Sequence, residues 1–109
     1  MKISQHPFET LDWSTIEKVK YPGEKGFATW QTIMMGDIRI RMVEYSAGYL
    51  ADHWCSKGHL IYCIKGKMKT ELSDGKKMKM KKAMTYHVGD DSMAHRSSSK
   101  KGCKLFIVD

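Results

Sequence analysis

The chain has 109 residues and a formal net charge of +7, with 41% hydrophobic and 28% charged residues. That is enough for one domain with a real core, no room for a second, and eleven aromatic residues argue against disorder. No apolar run approaches the ~20 residues of a membrane helix, and Met1–Pro7 leads into no apolar signal-like segment, so a cytoplasmic protein with no membrane partner is expected.

In chain order, residues 1–30 are the least regular and are expected to form an N-terminal arm. Phe8, Trp13, Phe27 and Trp30 would pack that arm on the following domain, 31–109, or on a partner subunit. Ser14-Thr15-Ile16-Glu17 has the form of a capping box and predicts a single helical turn before Pro22-Gly23. From there the chain reads as short strands: Ala28–Ile33, Ile38–Tyr45, Ala51–Trp54, His59–Ile64, Met68–Leu72, Lys77–Met80, Tyr86–Val88, His95–Ser97 and Lys104–Val108. Gly36-Asp37, Ala47-Gly48, Lys57-Gly58, Lys65-Gly66, Asp74-Gly75, Gly89-Asp90-Asp91 and Lys101-Gly102 supply the breaks. Many short strands with regular turn signals predict an all-β sandwich or barrel.

The charge is concentrated. The first 45 residues carry six bases and six acids, whereas Lys65 to Lys82 holds eight lysines against Glu71 and Asp74. That stretch alternates with period two on either side of Asp74-Gly75, which predicts a hairpin. Met68, Leu72, Met78 and Met80 would face the core and the lysines water. Lysine rows guard sheet edges, and no exposed aromatics alternate with them as a nucleic-acid stacking platform requires. Nucleic acid is therefore an unfavoured partner.

Three cysteines, Cys55, Cys63 and Cys103, form an odd count without framework spacing, so free thiols in a reducing compartment are expected. Cys63 and Cys103 read as core residues. Cys55 stands apart. In a strand, residues i and i+2 share a face, so His53 and Cys55 would present an imidazole and a thiolate together, with Ser56-Lys57-Gly58 turning His59 back toward them. His95 opens a later strand. Imidazole with thiolate suits zinc and the later first-row metals; the spacing alone leaves a surface histidine and a buried thiol equally open.

The segment from Gly48 to Gly66 resembles the first cupin motif, in which Gly, five residues, His-x-His, three or four residues, Glu, six residues and Gly follow in order. The three-residue gap before His59 and the six-residue gap to Gly66 both fit. Ala83 to Ser99 is similar to a degraded second cupin motif, with His95 where the metal-binding histidine belongs. The resemblance covers about Ile38 to Val108. It is strongest for the small single-domain cupins named for an Asp-His-Cys-Trp motif, whose residue types stand here as Asp52-His53-Trp54-Cys55.

This resemblance implies an all-β, single-domain jelly-roll barrel holding one divalent transition metal through His53, Cys55, His59 and His95, and a homodimer. Cys55 takes the place of the second histidine and His59 that of the glutamate. Gly48 is one residue closer to His53 than usual, Gly89 and Asp91 stand near the usual Pro and Gly, and Ser99 replaces Asn. The single negative charge has moved from oxygen to sulfur, which shifts preference from manganese toward zinc or iron, with nickel and copper also compatible. Asp52 and Arg96, each one residue from a ligand, are expected to pair on the far face.

Tyr62, Tyr86 and His87 are candidate pocket residues, each with an ordinary surface or core alternative. Arg39 and Arg41 share a strand face and would bind a carboxylate if that face points inward. Two readings remain open at this stage. One is a metal-dependent enzyme acting on a small polar molecule as oxygenase, isomerase or lyase. The other is a non-catalytic metal- or ligand-binding module with a structural or sensory site.

Overall fold

A computed structural model describes residues 2–109. After a 3-10 turn at Trp13–Thr15, the chain forms nine strands: β1 Val19–Pro22, β2 Phe27–Met35, β3 Ile38–Tyr45, β4 Tyr49–Leu50, β5 His59–Leu72, β6 Lys77–Lys81, β7 Thr85–Val88, β8 His95–Ser99 and β9 Cys103–Val108. All the pairings are antiparallel. One sheet runs β1-β2-β3-β9-β5-β7 and the other β6-β5-β8-β4, with β5 shared between them.

The shared strand is the main departure from the expected element list. Lys65-Gly66 is a bulge and not a break, since the pairing of β5 with β9 shifts register between Cys63 and Lys65. Such bulges bend a strand and let it pass from one sheet to the other. The first part of β5 pairs with β7 and β9, and its last part with β6 and β8. Gly66 follows with φ +81, and a Cβ there would lie 2.5 Å from the Gly102 carbonyl oxygen. Only glycine permits both that conformation and that approach.

The core lies between the sheets, where Val43, Ile61, Cys63, Met68, Met80, Leu105 and Ile107 are almost fully buried. Cys63 and Cys103 are buried free thiols in this core, as their place in the sequence implies. The lysine hairpin is present in the expected register, with Lys67 opposite Lys81 and Lys69 opposite Lys79. Met68 and Met80 do face inward. Met78, however, is 51% exposed on β6, which pairs only with β5, and it lines a second cavity there.

The N-terminal turn sits two residues earlier than the capping-box reading places it. Asp12, not Ser14, is the cap, accepting from the Ser14 backbone N–H at 3.0 Å. Gln31 fastens the turn to the barrel by donating through Nε2 to the carbonyls of Trp13 (2.6 Å) and Ile16 (2.9 Å), and Trp13 meets Phe106 edge-on. Phe8 packs on nothing and is 96% exposed. Strand structure reaches into the expected arm, since β1 pairs with β2 and β2 begins at Phe27. Among the described residues, no helix is long and apolar enough to cross a membrane.

Candidate metal centre

Three donors converge inside the barrel. The ligating atoms of Cys55, His59 and His95 lie within 4.8 Å of one another. An isolated bridge between Cys55 and His95, with N–H to O distances of 2.8 and 2.9 Å, sets thiol and imidazole side by side. His59 comes from the first residue of β5. Its approach depends on Gly58, whose N–H donates to Asp90 Oδ1 at 2.7 Å and where a Cβ would strike the backbone of Val88 to Asp90. The two imidazoles meet with Nε2 atoms 2.8 Å apart, and the Tyr86 hydroxyl lies 3.1 Å from His59 Nε2.

The protonation pattern follows from the partners. His95 Nδ1 faces the Met93 carbonyl at 2.8 Å, so it carries the proton and leaves the Nε2 lone pair directed into the cluster. Burial also lowers the pKa of His95, which keeps the ring neutral as a metal ligand must be. Burial pushes the Tyr86 hydroxyl well above its ordinary range, so it remains a neutral phenol.

His53 does not join this group. Its side chain is 74% exposed, at the rim of the cavity, and Nδ1 is paired with Asp52 at 2.6 Å. The reason is local. Ala51 N–H donates to the Ser97 carbonyl and Cys55 pairs with His95, so four residues of one chain span two of the other. The excess is extruded as a bulge carrying Asp52, His53 and Trp54. Ala51–Trp54 is therefore not a strand, and the strand now starts and ends at Tyr49–Leu50. The expected Asp52–Arg96 pair is absent for the same reason. Asp52 holds His53, while Arg96 reaches Glu24 at 3.2 Å and lies over the Trp54 ring.

The cluster forms one wall of a cavity of about 130 Å³ whose other walls include Trp30, Arg39, Arg41, Val43, Ile61 and Ile107. Arg39 and Arg41 do point inward, and both engage Asp109. Arg39 Nε and Nη2 donate to its two carboxylate oxygens at 2.9 and 3.0 Å, and Arg41 Nη2 donates to Oδ2 at 2.9 Å. Arg41 also lies against the Trp30 ring, 4.3 Å from its centroid. Tyr62 points away from the cavity, with 38% exposure, because it alternates with the buried Ile61 and Cys63. His87 alternates with the inward Tyr86 and is exposed, meeting a second, methionine-lined cavity instead.

Asp109 is the buried cavity residue that motif reading passes over. The signal was present, since Cys103, Leu105 and Ile107 set the inward parity of β9 and an acid at 109 continues it. A charge at an inward position of a strand needs partners, and the register of β9 with β3 provides Arg39 and Arg41.

No family model and no curated protein matches the sequence. Solved structures do match in shape. An RmlC-like cupin from Shewanella frigidimarina is 12% identical, with a TM-score of 0.75 over 95% of this chain and 91% of that one. The chain has the cupin fold. A predicted oxalate decarboxylase from Thermotoga maritima shares it at 12% identity, with a TM-score of 0.78 over 92% of this chain and 96% of the other. The polyketide cyclase RemF from Streptomyces resistomycificus is 18% identical, with a TM-score of 0.76 over 94% and 78% of the two chains.

Proposed function

We propose that this cupin is a metal-dependent enzyme acting on a small anionic molecule, with Cys55, His59 and His95 as the ligand set. The convergence of one thiol and two imidazoles on a cavity wall carries the reading. Two nitrogens and a sulfur suit zinc, iron or nickel better than magnesium or calcium. Three protein ligands leave a coordination position open, as catalytic sites do and closed structural sites do not. A bound metal would supply Lewis acidity and an activated water or oxygen.

The chain's own groups define what can enter. The cavity is close to the ~150 Å³ that accommodates a benzene-sized molecule, so the substrate has few heavy atoms. Two guanidinium groups face one carboxylate, which leaves a surplus of positive charge on the cavity wall. Arg41 Nε is buried without a hydrogen-bond partner. A substrate carboxylate would balance both features. Val43, Ile61 and Ile107 exclude water from the opposite wall, and Tyr86 holds a proton beside His59. Among the solved structures of this fold are a predicted oxalate decarboxylase and a polyketide cyclase; oxygenase, isomerase and lyase chemistry are each compatible with the cluster here.

Metal analysis of tag-free protein, with absorption spectra of the cobalt-substituted form, tests the reading. We expect a thiolate-to-cobalt charge-transfer band that Cys55→Ser abolishes and His53→Ala retains. Small carboxylates should perturb the cobalt bands, and Arg41→Met should weaken that response at least tenfold. Unchanged metal content in both Cys55→Ser and His95→Ala would sink the assignment. Stoichiometric zinc with no exchangeable position would favour the non-catalytic module.

A further inference from the structure

We infer that Asp109 is a positioning residue of this centre, holding the His59 ring with its proton on Nδ1 so that Nε2 is the metal-binding atom. The inference rests on the metal reading above and concerns a residue outside the ligand set.

Backbone register brings the groups together. Arg39 and Asp109 exchange backbone hydrogen bonds of 2.6 and 2.9 Å across β3 and β9. On the other side of β9, Leu60 is opposite Val108, which sets His59 beside Asp109. The Asp109 side chain has no exposed surface, and Oδ2 lies 3.7 Å from His59 Nδ1. That separation is longer than a hydrogen bond and short enough for strong attraction in a buried site.

His59 Nδ1 is itself buried and has no hydrogen-bond partner. The charged group 3.7 Å from it is the Asp109 carboxylate, an acceptor, so a proton at Nδ1 is favoured over a lone pair when Nε2 binds the metal. The opposite ring nitrogen, Nε2, already faces His95 Nε2 and the cluster. A carboxylate behind a ligating imidazole fixes its orientation and raises its basicity, and losing such a partner typically costs about 10–100-fold in metal affinity.

Arg39 and Arg41 explain why Asp109 orients the ring without taking its proton. Both carboxylate oxygens accept from guanidinium groups. A carboxylate so occupied is a weak base, yet its charge still faces Nδ1. His95 has a different device for the same end, a backbone carbonyl at Met93. The two ligands are thus oriented by independent partners.

The test is nitrogen-15 NMR of the imidazoles in the zinc-loaded protein. His59 is expected to show a protonated Nδ1 and a zinc-bound Nε2. Zinc bound through His59 Nδ1 would overturn the role of Asp109 while leaving the metal centre standing. Failure to bind zinc at all would overturn the metal reading and this inference with it.

A second arm measures zinc affinity by competition with a chelating dye. Asp109→Asn should weaken binding about tenfold or more and leave the His95 proton on Nδ1. Arg39→Gln, which loosens the same clamp but keeps the carboxylate facing His59, should cost distinctly less. Equal losses in the two variants would mean that Asp109 acts only through the clamp, and would count against the inference. Should Asp109→Asn fail to fold, the wild-type spectrum decides alone.

Discussion

A carboxylate with no exposed surface persists at Asp109 because donors surround it. Burial alone would raise its pKa, but the His59 ring beside it, the hydrogen bonds from Arg39 and the charges of both arginines outweigh burial and hold it below the usual carboxylate value. The sign for stability follows. Between the lowered folded value and the ordinary one, the unfolded chain binds more protons, so this contribution is full above about pH 4 and is lost as pH falls through the folded value. Urea melts at about pH 6 and pH 3 should show the wild type losing stability on acidification. Asp109→Asn should lose less over that interval while starting about 2 kcal/mol lower, the scale of charge-assisted hydrogen bonds removed from a buried site. The thiols sort themselves on the same principle. Burial raises the Cys103 thiol to about 11 and pushes Cys63 upward too, whereas Cys55 is half-buried and lines the cavity. A thiol reagent at neutral pH should therefore modify Cys55 alone in the native protein, and zinc should protect it.

At the scale of elements, β5 carries the architecture. Its 14 residues serve both sheets, and the bulge with Gly66 makes that possible. Gly66→Ala should cost about 1–3 kcal/mol, since it puts a side chain into left-handed backbone and against Gly102 and Cys103; chemical denaturation would measure it. Period-two alternation made most strands legible, with Ile38–Tyr45 placed at both ends, because half-buried strands write their parity into the sequence. It could not show that Lys65-Gly66 continues a strand, because turns and bulges use the same residues. The proximity of Cys55, His59 and His95 was legible through motif spacing, but the strand argument that joined His53 to Cys55 failed. A two-residue excess against β8 is a property of pairing, and one strand's sequence does not contain its partner's register. The same gap hid the Asp109 cluster, which only the combined registers of β3, β9 and β5 assemble.

At the scale of the molecule, the excess of positive charge and the candidate metal cluster occupy different parts of the fold. The lysines form a ladder on the outer face of β5 and β6, where Lys67 meets Lys81 and Lys69 meets Lys79. Like charges directly opposed are destabilising, so Lys79→Glu should stabilise the protein by ~0.5 kcal/mol at low salt, an effect that melting in high salt should largely remove. The Cys55–His59–His95 cluster, by contrast, spans the two sheets, because His59 lies in the part of β5 paired with β7 and β9, while His95 opens β8. A ligand bound only by the folded state adds stability by mass action, about 2.7 kcal/mol at a hundredfold excess over its Kd. For a domain of this size that corresponds to a rise in Tm of about 10 °C. Zinc at that excess should produce such a shift, a chelator should reverse it, and His95→Ala should abolish it. Lys79→Glu should leave the zinc-induced shift intact, since the ladder contributes no atom to the cavity wall. A zinc response that vanished with the lysine ladder would instead mean that the ion binds the surface. A metal held by β5, β8 and the Cys55 bulge would fasten the two sheets across the cavity, adding to the direct contact of His59 with His95.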